Sequence, residues 1–333
     1  MDDLQFQIVE YLGSRHFSPV FVECRRLSRV FWALSCPEPS IDLIHGFDEC
    51  PRGTTMTTLV IGARGSIGRE VLNRLLAAGE PVRASARNPA AAGLPDGVAV
   101  VAADLTEPET LSAALDGVTR VFLYAPTGGA AGFITAARDA DVQRIVLMSS
   151  GSVLLPDAVG NTIAEERRRV EQALTDSGLP WTPVRPLVLA NNALHWAESI
   201  RTEGVVRLVD PEAMTAPIHE RDIAAVAVAA LTDSAGAASD AMLTGPELVS
   251  QQRQVELIAT AIGADIRIEK LSKAQARERF GRFERPEIVE AILDFINAAA
   301  HGGSPMTDTV QRVLARPATS FAQWAHEHAA DFR

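Results

Sequence analysis

The segment Gly62-Ala63-Arg64-Gly65-Ser66-Ile67-Gly68 constrains this chain more than any other, because it sets three glycines at G-x-x-G-x-x-G spacing between two periodic stretches. Residues 58–61 read as a β-strand. Over 66–78 the residues Ile67, Val71, Leu75 and Leu76 fall on one helical face, with Arg69, Glu70, Asn73 and Arg74 opposite. Glycine permits a sharp strand-to-helix bend and an approach that a Cβ would block. The backbone N–H groups of such a turn converge where the helix N-terminus adds its partial positive charge, so the turn is suited to a diphosphate.

The same alternation continues downstream. Strands are expected at 82–86, 98–102, 121–124, 144–148 and 181–184, with helices over 108–115, 132–139 and 162–177. Strands separated by helices pair in parallel through right-handed crossovers, which predicts an α/β fold: a doubly wound, mostly parallel, Rossmann-like sheet. After Pro186 the pattern turns helix-rich, with helices expected near 192–201, 221–231, 251–262, 273–279, 286–299, 308–314 and 320–330. Short strands are expected at 205–208, 216–218 and 266–270. The division expected is a nucleotide-binding domain over 56–186 and a smaller C-terminal substrate lobe over 187–333. Residues 1–55 form an atypical N-terminal extension holding all three cysteines and seven of the eighteen aromatics. It is either an appended segment or sequence upstream of the natural start at Met56, and the place of Met56 just before the first strand favours the latter.

Charge and composition remove several function classes. A net charge of −11 opposes a phosphate-neutralising surface, so no nucleic-acid partner is expected. The longest apolar run, 223–231, is far short of the roughly 20 residues a membrane span needs. No basic patch precedes an apolar stretch at the N-terminus. Cys24, Cys36 and Cys50 fit neither a metal motif nor a disulfide framework, which points to a reduced, cytoplasmic compartment. No metal-ligand spacing is present, and the expectation is a monomer or homodimer acting on a small molecule.

The residues at the strand ends indicate which dinucleotide. An NAD site usually carries an acidic residue about 20 positions beyond the glycines to hold the ribose 2′-hydroxyl. Here the second strand ends in Ala86-Arg87-Asn88 without a carboxylate, and Arg64 lies within the turn. Two guanidinium groups suit a 2′-phosphate, so NADP(H) is expected over NAD(H). Asp104 and Leu105, closing the third strand, suit the adenine, with a helix cap as the rival role of Asp104. The fourth strand leads into Tyr124, Ala125 and Pro126, and the fifth into Ser149 and Ser150. The cofactor set is thus Gly62, Ala63, Arg64, Gly65, Ser66, Ile67, Gly68, Arg87, Asp104, Leu105, Ala125, Pro126 and Ser149.

With these residues in place, the chain from Met56 to Arg333 resembles the NmrA-like branch of the atypical short-chain dehydrogenase/reductases. The likeness is carried by the glycine turn, Arg87, Asp104-Leu105, Tyr124-Ala125-Pro126 and Val170-Glu171-Gln172-Ala173-Leu174. It continues through Ser177-Gly178-Leu179-Pro180-Trp181-Thr182, Arg185-Pro186, Asn191-Asn192, His219 to Ala224 and Thr244-Gly245-Pro246. The resemblance implies a Rossmann-like NADP(H)-binding protein with a C-terminal substrate lobe, in a family that holds both reductases and redox sensors. By its register, Arg167 stands where relatives carry Lys or His.

One departure bears on mechanism. Better-known short-chain dehydrogenases pair a Tyr with a Lys four residues later to exchange a proton with a carbonyl oxygen. This chain has only Tyr11 and Tyr124, and its two lysines are Lys270 and Lys273. Candidate catalytic residues are therefore Tyr124, Ser150, Arg167 as an oxyanion stabiliser, and His195 as an acid near neutral pH. Trp196, Met214, Phe280 and Phe283 are expected near the cleft. The leading expectation is an NADP(H)-dependent oxidoreductase for a small, mostly apolar carbonyl, quinone or conjugated substrate. A catalytically silent NADP(H) sensor with a protein partner, and a non-redox lyase, isomerase or cyclase, are the alternatives.

Overall fold

A computed structural model describes residues 56–126, 128–156, 159–232 and 241–333. The N-terminal extension over 1–55 lies outside the described residues.

The first half follows the order β1 (Thr57–Val60), α1 (Ser66–Ala77), β2 (Val82–Ala86), β3 (Ala99–Ala102), α2 (Leu111–Leu115), β4 (Val118–Leu123) and α3 (Ala130–Asp139). It continues with β5 (Arg144–Met148), α4 (Thr162–Ser177) and β6 (Trp181–Pro186). Beyond it come α5 (Ala197–Glu203), β7 (Val205–Leu208), β8 (Met214–Thr215), α6 (Glu220–Thr232), β9 (Met242–Leu243) and β10 (Val249–Ser250). The chain closes with α7 (Gln251–Ile262), β11 (Arg267–Lys270), α8 (Lys273–Phe280), α9 (Pro286–Gly302), α10 (Thr309–Leu314) and α11 (Phe321–Glu327).

Among the described residues the main sheet has seven parallel strands in the order β3-β2-β1-β4-β5-β6-β9. The order reverses between β1 and β4, which opens a crevice at their carboxyl ends. The strand β9, from beyond Pro186, pairs with β6 through Arg185–Met242 and Pro186–Leu243, so the sheet runs across both halves of the chain.

Two apolar layers enclose the sheet. All six residues of β4 are buried, as a central parallel strand requires. Alternate side chains divide between its faces: Phe122 joins Val71, Leu72 and Leu75 of α1 and Ile223, Ala227 and Leu231 of α6. Val121 and Leu123 join Leu111 and Leu115 of α2, Phe133 of α3, and Val170 and Leu174 of α4. A separate cluster gathers Phe321, Trp324 and Phe332 with Ala190, Ala193, Ala197 and Ile258.

Three local expectations are corrected. Leu72, not Leu76, completes the buried face of α1, because the stripe centres on positions 68, 71, 72 and 75 and leaves Leu76 38% exposed. The strand expected over 216–218 instead forms at Met214–Thr215, pairing antiparallel with β10. Pro217 has no N–H to give a ladder, and Ile218 makes only an isolated bridge to Leu189. The helix expected over 192–201 divides into a 3-10 turn, Ala190–Trp196, and α5. No helix among the described residues is long and apolar enough to cross a membrane.

Candidate active site

The glycine turn closes tightly on itself. Gly62 has φ +88°, and a Cβ there would stand 2.9 Å from the Tyr124 Cβ. A Cβ on Gly68 would lie 2.1 Å from the Gly62 carbonyl oxygen, so α1 leaves the turn at a distance only glycine allows. The Gly65 N–H donates to the Gly62 carbonyl at 3.1 Å, and the Arg69 N–H to that of Gly65 at 2.8 Å. Ala63 and Ile67 are buried in the core beneath, while Arg64 is exposed. The Ser66 hydroxyl is buried and has no hydrogen-bond partner among the described residues. An orphaned hydroxyl at a helix N-terminus that only glycine lets pack this close to the turn suits an anionic ligand.

At the sheet's other flank, Arg87 follows β2 and is exposed. The Asp104 carboxylate accepts from the Thr106 N–H at 2.8 Å and its hydroxyl at 2.7 Å, closing a short turn. Burial pushes this carboxyl up, but the two Thr106 hydrogen bonds and the Arg87 charge outweigh it and hold the pKa below the ordinary value. Leu105 is buried under Gly129, where a Cβ would approach the Leu105 Cβ to 2.8 Å.

Across the crevice, Arg167 projects from α4 and is 8% exposed. Its Nη1 donates to the Ala125 carbonyl at 3.0 Å, and its guanidinium carbon lies 5.8 Å from the centroid of the Tyr124 ring. The cation is thereby held between the two residues that leave β4, while Pro126 beside them is exposed.

One helical turn further along α4, Glu171 takes a different role. Arg185 Nε and Nη2 donate to its two oxygens at 2.8 and 2.7 Å, and the Ser149 hydroxyl donates at 2.5 Å. All three residues are buried. The Ser149 hydroxyl is therefore engaged behind the crevice, tying β5 to α4 and β6. Ser150 caps the following 3-10 turn, its Oγ accepting from the Ser152 N–H at 3.2 Å and lying 2.9 Å from the Ser152 hydroxyl. The sequence signal for this network was an acidic residue on the apolar face of α4 and an arginine inside β6.

His195 sits on the exposed side of the turn Ala190–Trp196 yet is surrounded by protein on its remaining sides. Burial pushes its pKa down to about 4. That direction favours an uncharged imidazole, a hydrogen-bonding group, over the acid expected from the sequence. His328, just beyond α11, lies half-buried against Glu220 with Nε2–Oε1 at 2.8 Å. Of the apolar residues expected at the cleft, Trp196 packs on the Trp324 cluster, and Phe280 packs with Val289 and Leu293. Phe283 is 64% exposed. No group of three metal-binding side chains occurs among the described residues.

Known proteins match this arrangement over the same span. Residues 62–234 fit the family model described as NAD(P)H-binding. The chain is 38% identical over 279 residues to a (4-alkanoyl-5-oxo-2,5-dihydrofuran-3-yl)methyl phosphate reductase of Streptomyces griseus, covering 82% of this chain and 98% of that protein. It is 35% identical over 286 residues, with the same coverages, to an NAD(P)H azoreductase of Xenophilus azovorans. Among solved structures, an NADPH-dependent quinone oxidoreductase from Escherichia coli superposes with TM-score 0.68 at 23% identity, over 82% of this chain and 99% of that one. A Citrobacter triphenylmethane reductase solved with NADP(H) gives TM-score 0.66 at 20% identity over the same shares, a likeness of fold. The crevice that only glycine can shape is thus the feature of a known lineage: this chain belongs to the NAD(P)H-binding family and is an NAD(P)-dependent reductase, consistent with the resemblance read from its sequence.

Proposed function

We propose that this reductase uses NADPH to reduce a conjugated electrophile, such as a quinone or an unsaturated carbonyl compound, rather than an isolated ketone. The observation that carries this is Arg167, a buried permanent cation beside Tyr124, in a chain that lacks the lysine-activated tyrosine of better-known relatives. Arginine does not give up its proton near neutral pH, so it stabilises negative charge without acting as an acid. Reduction of an isolated ketone produces a strongly basic alkoxide that needs a proton from the protein. A quinone gives a phenolate, whose conjugate acid has a pKa of about 10, as for tyrosine, and water can protonate it after release. The relatives named for a dihydrofuranone phosphate and for azo compounds also act on conjugated systems, which supports the same class.

The glycine turn and the Ser66 hydroxyl fit the cofactor's diphosphate, with Arg64 and Arg87 on its 2′-phosphate and Asp104 and Leu105 toward the adenine. When bound, NADPH supplies the hydride. The chain's own contribution is to orient the acceptor against Tyr124, Ala125 and Pro126 and to hold the Arg167 charge near its developing oxyanion. Ser149, Glu171 and Arg185 keep β5, α4 and β6 in register behind them. In a panel of NADPH oxidation assays, a substituted benzoquinone should turn over and cyclohexanone should not. Faster turnover of the ketone, or none with any conjugated acceptor, overturns the assignment.

A further inference from the structure

The 3-10 turn Ala190–Trp196 leaves the carboxyl end of β6 and is gripped from behind by the far end of the chain. Trp324, fully buried on α11, directs its indole N–H between Asn191 Oδ1 at 3.1 Å and Glu220 Oε2 at 3.2 Å. The indole itself is enclosed by rings: His328 stacks on it at 4.5 Å, Phe321 lies at 5.1 Å and Phe332 at 6.2 Å. His328 in turn bonds Glu220 and Asp331, each at 2.8 Å.

Residues three apart in a 3-10 turn eclipse one another. Ala190 and Ala193 accordingly both face the Trp324 cluster, whereas Asn192 and His195 share the exposed side. The turn follows β6, whose carboxyl end lies on the same edge of the parallel sheet as those of β1 and β4. A Cβ on Gly151, at the end of β5, would stand 3.0 Å from the Leu187 Cβ, so the segments leaving β5 and β6 abut.

We infer that Trp324 is a positioning residue for substrate, holding the turn Ala190–Trp196 so that Asn192 and His195 together present hydrogen-bonding groups to a neutral polar edge of the acceptor. Asn192 offers two donors and an acceptor, and the His195 imidazole a ring N–H, a set that suits a carbonyl or hydroxyl. This inference rests on the reductase assignment above and adds where the acceptor's polar edge is read.

The test compares Trp324→Phe, which keeps an aromatic ring and loses the N–H, with Asn191→Leu, which leaves the Trp324–Glu220 bond intact. With NADPH and a benzoquinone, each should raise the quinone KM about 3–10-fold, the scale of one lost hydrogen bond. The NADPH Kd should stay within twofold, because the glycine turn lies on the far side of the crevice. Asn192→Ala and His195→Gln should raise KM in the wild-type background and add little to Trp324→Phe, since a displaced turn no longer presents them. Unchanged quinone KM, equal weakening of NADPH, or full additivity overturns the inference. If Trp324→Phe does not fold, Asn191→Leu carries the same expectation alone. If the wild-type protein turns over no conjugated acceptor, the proposed substrate class fails separately. Hydrogen exchange then decides: amides 190–196 must exchange faster in Asn191→Leu, and unchanged protection overturns the positioning role.

Discussion

The carbonyl oxygen of Gly62 stands 2.1 Å from the place a Cβ of Gly68 would occupy. No side-chain rotation relieves that approach, since both partners are backbone. Gly68→Ala should therefore push α1 away from the turn, costing about 1–3 kcal/mol of stability or more. The same displacement should abolish measurable NADPH binding. Urea unfolding and a fluorescence titration with NADPH check the two effects, and an alanine variant that still binds NADPH at wild-type affinity would refute the cradle.

The proposed cofactor site assigns Arg87 and Arg64 to a 2′-phosphate, and Arg87 lies close enough to Asp104 to lower its pKa. Losing one charged hydrogen-bonding partner costs about 1.5–3 kcal/mol, or roughly 10–100-fold in affinity. Arg87→Ala should thus weaken NADPH by that factor and leave NADH nearly unaffected. Parallel titrations of both cofactors decide it; equal binding of both by the unmodified protein removes the assignment.

Arg167→Ala should lower kcat for a benzoquinone about 10²–10³-fold, as for loss of one oxyanion-stabilising donor. Arg167→Lys should recover part of the rate, because the charge returns without the fork that reaches the Ala125 carbonyl. Steady-state kinetics of both variants at saturating NADPH provide the comparison. The wild-type kcat should also show no titration assignable to His195 between pH 6 and 7, given its pKa near 4.

His328 gives stability its own pH dependence. Burial pushes its pKa down, but the hydrogen bonds and charges of Asp331 and Glu220 outweigh that and raise it from 6.5 to about 9. Below about pH 6.5 it is protonated in both the folded and unfolded chain, and its contribution is complete. Above that, the unfolded chain releases the proton first, so the stabilisation falls away as pH rises through about 9. The expected loss is on the order of 1–3 kcal/mol, discounted for the partly open side chain. Urea midpoints measured from pH 6 to pH 9.5 should decline in the wild type more than in His328→Gln; parallel slopes would refute it.

Glu171→Gln should destabilise the fold by about 3–5 kcal/mol, because Arg185 would be left buried without its carboxylate. Circular-dichroism melts of this variant beside Gln172→Ala, an exposed neighbour on the same helix, isolate the effect.

The order of strands and helices through β6, the glycine turn and the identity of the residues at the strand ends were legible in the sequence alone, whereas the short strands β9 and β10 were not. Each of those signals is local: hydrophobic period and three glycines within seven positions. Asp104 was ambiguous for the same reason, since its turn with Thr106 is two residues long and fits either a cap or a ligand contact. Partnerships between distant segments were not legible. Trp324 and Asn191 are 133 positions apart, Glu220 and His328 108, and no periodicity links them. Ser149 looked like a crevice residue by its place after β5, and only packing directed its hydroxyl back to Glu171. Local backbone preference decides which elements form and where the bends fall. Which buried charge meets which, and which face of a turn is left for a substrate, depends on desolvation and crowding that exist only once the chain has closed on itself.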